Sequence, residues 1–163
     1  MTLNLPYAGV FVGYRHYDRA GKQVLFPFGH GLSYSDIEVS DLKVGSIKGS
    51  GADTTFDVTY KVSNVGKVDT KYTTQVYVAP PVEGRITSPP KELKAFQKVS
   101  LKAGASTTVT LTLGKEAFSY WDEPDACWIA PAGTYRVLVG HSSADLPLSG
   151  EVKLEKTFEW LGL

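Results

Sequence analysis

The sequence predicts an all-β protein, an antiparallel sandwich entered through an irregular aromatic arm. Apolar residues recur with period two in short runs, of which Phe56, Val58, Tyr60 and Val62 are the cleanest. Turn signals rich in Gly, Pro, Asn and Asp separate these runs at short intervals. No stretch carries apolar residues at helical spacing over a useful length. Together these three observations describe about eight strands in an immunoglobulin-like arrangement.

The arm comes first, over residues 1–34. Val10, Val12 and Tyr14 alternate with Phe11 and Gly13, which predicts a short strand, and Asp18-Arg19-Ala20-Gly21-Lys22 then predicts a turn. Tyr14, Arg15, His16 and Tyr17 read as a packed aromatic cluster with the guanidinium over a ring. The arm ends in Phe26-Pro27-Phe28-Gly29-His30-Gly31-Leu32-Ser33-Tyr34. Pro27 fixes φ and lacks a donor, and Gly29 and Gly31 admit conformations closed to other residues, so this junction is neither regular helix nor central strand. Its rings call for an apolar neighbour. His30 reads as a hydrogen-bonded junction histidine.

The sandwich is expected over residues 35–163. Ile37 to Val44 alternates but slips phase at Ser40-Asp41, as a bulge would cause. Phe56 to Ser63 is a strand closed by the turn signal Asn64-Val65-Gly66. Thr74 to Val78 follows. Pro80 to Pro90 contains four prolines and no periodicity, which predicts an exposed, semi-rigid loop with Arg85 at its middle. Leu93 to Leu101 reads as a strand with a bulge near Ala95-Phe96, and Val109, Leu111 and Leu113 mark the next. Ala117 to Trp121 and Ala126 to Ile129 flank the hairpin turn Asp122-Glu123-Pro124-Asp125. Tyr135, Val137 and Val139 form another strand, and Leu146 to Leu154 a last one interrupted at Gly150. The tail from Thr157 to Leu163 is apolar, so it is expected to dock on the sandwich or on a partner.

Composition narrows the function. The chain has 163 residues, enough for a single core without staples. Its 17 basic and 17 acidic side chains cancel, which argues against a nucleic-acid partner. No apolar run is long enough to span a bilayer, and Met1-Thr2-Leu3-Asn4 lacks the plan of a signal peptide, so no membrane partner is expected. Cys127 is the one cysteine, which rules out an intramolecular disulfide. His16, His30 and His141 show no ligand spacing, and neither a metal nor a cofactor is expected.

Several ordered motifs resemble those of a known family. Val12-Gly13-Tyr14-Arg15-His16-Tyr17-Asp18 and Leu25 to Tyr34 resemble the segment that joins the second catalytic domain of glycoside hydrolase family 3 enzymes, β-glucosidases and their relatives, to a C-terminal fibronectin type III-like domain. The likeness continues through Lys91-Glu92-Leu93-Lys94-Ala95-Phe96, Phe118-Ser119-Tyr120-Trp121-Asp122 and Pro131 to Gly140. It implies an accessory module whose partners are the catalytic domains of such an enzyme. Tyr14, Arg15, Tyr17, Phe26, Phe28, His30 and Tyr34 then stand at the interface, with Arg85 on a loop near the substrate entrance. It also implies an extracellular or periplasmic setting.

No catalytic residue is expected in the chain. Asp122, Glu123 and Asp125 are close in sequence, but they occupy a turn that implies no cleft for a pair of working carboxyls. No Gly-x-Ser-x-Gly elbow occurs, and Gly29-His30-Gly31 lacks the Lys and the strand-to-helix context of a phosphate loop. In the family the nucleophilic aspartate and the acid/base residue lie upstream of everything matched. The Ser-Asp-Trp typical of that nucleophile is absent, since Ser35-Asp36 is followed by Ile37 and Ser40-Asp41 by Leu42. Two other readings stay open. One is a carbohydrate-binding module that meets glucan or oligosaccharide on a flat platform of Tyr120, Trp121 and Trp128, which requires those rings to be exposed and coplanar. The other is a protein-binding adhesion domain.

Overall fold

Alternation is strongest in β2 (Phe56–Asn64), where every second residue is buried and Phe56, Val58, Tyr60 and Val62 are sealed from solvent. β2 runs between β1 (Ile37–Val44) and β5 (Ser106–Leu113) in one antiparallel sheet. A second sheet has the order β4 (Glu92–Leu101), β3 (Thr70–Ala79), β8 (Gly133–Gly140), β9 (Leu148–Leu154). The two share one hydrophobic core, to which β3 brings Val76 and Val78 and β8 brings Tyr135, Val137 and Val139. Each such side chain contributes about 1.5–3 kcal/mol on burial. A third, smaller sheet has the order β10 (Phe158–Trp160), β7 (Cys127–Ala130), β6 (Tyr120–Asp122). The computed structural model describes residues 9–81 and 88–162.

Buried hydroxyls in the core have partners. Tyr60 Oη and Thr74 Oγ1 lie 2.6 Å apart. Tyr135 Oη donates to the carbonyls of Pro131 (2.8 Å) and Phe118 (3.1 Å), bonding back to the chain four residues upstream as in the tyrosine corner of immunoglobulin-type sandwiches. Asn64, buried at the end of β2, closes its turn in the way the Asn-Val-Gly signal predicts. Its Oδ1 accepts from Ser35 Oγ and from the Gly66 N–H, while Nδ2 donates to the Val68 carbonyl.

Both expected bulges are present. The register of β1 on β2 shifts between Ser40 and Lys43, where Asp41 takes a left-handed φ of 57°. In β4 the shift leaves Lys94 opposite no residue of β3, one position before the predicted Ala95-Phe96. The tail does dock on the sandwich: β10 pairs with β7, with Trp160 opposite Trp128. That pairing helps raise the strand number among the described residues to ten, against about eight predicted from the turn spacing.

One element differs in kind. The stretch predicted as a strand and turn forms α1, a seven-residue helix over Tyr14–Ala20. Gly21 ends it in the left-handed conformation (φ 60°, ψ 26°), its N–H bonded to the carbonyls of Tyr17 and Asp18. The predicted turn is therefore the helix C-cap. A helix this short is marginal alone, so long-range contacts rather than the local pattern decide it. Among the described residues no helix is long and apolar enough to cross a membrane.

Candidate functional site

α1 lies against the start of β4 and meets three consecutive residues there, Lys91 to Leu93. Lys91 Nζ donates to Asp18 Oδ2 at 2.6 Å, and Arg15 Nη2 pairs with Glu92 Oε1 at 2.7 Å. The Leu93 N–H donates to Tyr14 Oη at 2.9 Å, and Lys94 Nζ reaches Glu92 Oε2 at 3.1 Å. Helical spacing puts Tyr14, Arg15 and Asp18 on one face, which is why three side chains of a single turn can address one strand. Lys91 and Asp18 keep only 14% and 20% of their side-chain surface exposed, so this pair is screened less than an ordinary surface ion pair.

A second set of contacts fixes the junction. The Tyr14 ring stacks on Phe28 at 5.1 Å and meets Tyr77 edge-on at 5.8 Å. Tyr77 Oη donates to Gln75 Oε1 at 2.6 Å; Gln75 Nε2 in turn donates to the carbonyls of Gly29 (3.2 Å) and His141 (3.1 Å). The Ser143 N–H donates to the Phe28 carbonyl at 2.8 Å. Burial pushes the Tyr77 hydroxyl well above its ordinary range, which keeps it a donor. Gly29 is required by φ of 81° and by space, since a β-carbon there would overlap the Gln75 carboxamide. Gly31 meets neither condition.

The other side of the arm is bare. Leu25, Phe26, Leu32 and Tyr34 are 93%, 74%, 95% and 97% exposed, and Val10, Val12, Tyr17 and Phe28 are also exposed. Within this chain the junction rings mostly do not rest on apolar surface. Hydrogen bonds to Gln75 and Ser143 hold this segment, Phe28 alone of its rings packs on Tyr14, and Phe26 and Tyr34 face solvent. His30 is exposed, with its ring tilted over Phe26 at 5.5 Å and its N–H bonded to the Pro27 carbonyl at 2.9 Å. Gln75 and Ser143 had no signal in the sequence.

At the third sheet, Trp121 and Trp128 are directly opposed in the ladder, but their rings cross at 71° with centroids 5.6 Å apart. Trp160 stacks on Trp128 at 5.4 Å and 12°, its Nε1 donates to Ser119 Oγ at 2.9 Å, and Lys115 Nζ sits 4.2 Å above its ring. Tyr120 and Trp128 are half-buried, whereas Trp121 is exposed. The coplanar platform is therefore absent: Trp121 and Trp128 cross at a steep angle, and the docked tail stacks on Trp128. Asp122 is buried and accepts from the Asp125 N–H at 3.1 Å, a turn bond rather than half of a carboxyl pair. A cavity of about 400 Å³ opens between arm and sandwich, with Arg15, Glu92, Lys94, Tyr120 and Trp121 among its walls. Arg85 lies outside the described residues. Among the described residues no three His, Cys, Asp or Glu side chains gather to hold a metal.

Comparison with known proteins agrees with this architecture. Residues 72–143 match the family model of the fibronectin type III-like domain. Thermostable β-glucosidase B of Acetivibrio thermocellus is 44% identical over 149 residues, which are 91% of this chain and 20% of that protein. An exo-α-(1→6)-L-arabinopyranosidase of Bifidobacterium breve is also 44% identical, over 158 residues, covering 93% of this chain and 20% of the relative. The crystal structure of the Bifidobacterium adolescentis GH3 β-glucosidase superposes with a TM-score of 0.84 at 44% identity, over 91% of this chain and 21% of that one. The chain thus spans about a fifth of the length of the relatives it matches. It belongs to the C-terminal fibronectin type III-like domains of glycoside hydrolase family 3 enzymes.

Proposed function

We propose that the chain is the non-catalytic accessory module of a β-glucosidase-type family 3 glycosidase, and that it works by holding the catalytic domains in place. Residues 35–163 are the module proper, and residues 1–34 are the adaptor between it and the domain before it. Tyr14 and Arg15 serve the adaptor's inner side, while Tyr17, Phe26, Phe28, His30 and Tyr34 serve the interface with the catalytic domains. One observation carries the reading: an arm bonded to the sandwich along one side leaves Leu25, Phe26, Leu32 and Tyr34 in water on the other. A free-standing domain has no use for such a strip, and a covering partner would gain about 1.5–3 kcal/mol for each side chain fully buried. That relatives named for different sugars share the module supports placing sugar choice outside it. Contact with glucan or oligosaccharide is a second reading, supported by the cavity beside Trp121 rather than by a flat platform.

The test is the melting temperature of the parent enzyme with Leu32→Ser and Tyr34→Ser combined, alongside a chromogenic β-glucoside assay of the chain alone. The expected results are a drop of several degrees in the parent and no turnover by the chain. An unchanged parent, or turnover above background, would overturn the proposal.

A further inference from the structure

The cavity between arm and sandwich has the composition of a small-molecule site. At about 400 Å³ it falls in the range of ligand pockets. Two kinds of wall meet in it. Tyr120 and the exposed ring of Trp121 supply an aromatic side, whereas Arg15, Glu92, Lys94 and Glu123 supply a polar one. Both Glu92 oxygens are engaged, one by Arg15 at 2.7 Å and the other by Lys94 at 3.1 Å. A guanidinium has five N–H donors, an ammonium three, and a carboxylate about four lone-pair sites, so these ion pairs leave donors and acceptors unspent side by side. Among the described residues two cations and two carboxylates stand around the space, a balance of formal charge that selects for neither an anion nor a cation.

We propose that this cavity binds a single neutral pyranose unit. One face of such a ring presents C–H groups that pack on Trp121, while its edge carries adjacent hydroxyls that both donate and accept, as the Arg15–Glu92–Lys94 cluster requires. Phosphate would leave the carboxylates facing a like charge, and an apolar ligand would strand the ion-pair cluster without water. The site differs from a flat platform on Trp121 and Trp128 because it sets the aromatic side against a polar wall to which the arm contributes Arg15 and β4 contributes Glu92 and Lys94. Choosing a β-linked glucose unit as the ligand rests on the proposed family 3 parent; the pyranose class rests on the walls alone.

The test is titration of the full chain with cellobiose, maltose and glycerol, following the three tryptophan indole N–H resonances by NMR. Saturable movement of the Trp121 signal with cellobiose in the millimolar range, absent with glycerol, is expected. In Trp121→Ala the affinity should fall about tenfold. Trp121 is exposed, so the variant should fold, and unmoved backbone amide signals of β2 and β3 verify that. No movement with either sugar, equal movement with glycerol, or unchanged affinity in Trp121→Ala would overturn the site. Binding of maltose in place of cellobiose would uphold the site while counting against a β-glucosidase-type parent.

Discussion

The sandwich core and the arm are held by opposite means. Between the large sheets the side chains are apolar, supplied by strands whose own alternation aims them inward, as in Phe56, Val58, Tyr60 and Val62. The inner side of the arm is fixed mainly by directional bonds to residues far along the chain: Asp18 to Lys91, Tyr14 to Leu93, Gly29 to Gln75, Phe28 to Ser143. Its apolar side chains mostly point away. A segment that takes its position from polar bonds and turns its hydrophobic surface outward suits the adaptor role proposed for it. A core hides its apolar surface; an adaptor presents it.

The largest expected effect tests this contrast directly. Phe56→Ala removes a fully buried ring that packs on Phe118, and should destabilise the chain by about 3–5 kcal/mol in urea unfolding. Gly29→Ala should cost less, about 1–3 kcal/mol, through its positive φ and the overlap with Gln75. The distribution matters more than the size. Hydrogen exchange should quicken throughout the sheets in the first variant, and chiefly in α1 and the junction in the second. Equal quickening everywhere in both would mean that arm and core form one cooperative unit.

Alkaline pH gives a middling effect. Burial raises the hydroxyls of Tyr60, Tyr77 and Tyr135 in the folded chain above the value near 10 that they have when unfolded. Their folded pKa values are raised, so their contribution is fully present below about pH 10 and is lost as pH climbs through the folded values. Tyr60 and Tyr135 belong to the core, whereas Tyr77 bonds to Gln75 beneath the junction. Denaturant midpoints should therefore fall steeply above about pH 10 and little between neutrality and that point. In Tyr77→Phe part of that alkaline slope should vanish. A midpoint that ignores pH in this window would remove the buried-tyrosine argument. At the acid end the Asp57 carboxyl is held low by hydrogen bonds from Lys48 and Thr112, but it lies at the surface and adds little.

What was legible in the sequence divides along the same line. The period-two runs, the bulge at Ser40-Asp41 and the Asn64 turn are local signals, and the fold obeys them because each strand's alternation also serves the shared core. Val10, Val12 and Tyr14 alternate just as locally, yet Tyr14 opens a helix, because its hydroxyl meets Leu93 and its ring meets Phe28 and Tyr77. The Gly21 cap was the one local hint of that helix. Trp121 and Trp128 suggested a platform, and their actual arrangement depends on Trp160, which comes from the far end of the chain. Local pattern thus foretells elements, while partners distant in sequence decide how a surface is spent.

The smallest expected effect is the most discriminating. Leu32 and Tyr34 are almost wholly exposed, so Leu32→Ser with Tyr34→Ser should change the stability of the isolated chain by no more than about 0.5 kcal/mol. Replacing exposed apolar side chains by serine should also make the chain less prone to self-association at high concentration, which sedimentation velocity can follow. The same pair of substitutions should lower the melting temperature of the parent enzyme if the proposed interface covers the strip there. A loss of stability in the isolated chain would show instead that these side chains already support the sandwich, and the arm would then be part of the module rather than its adaptor.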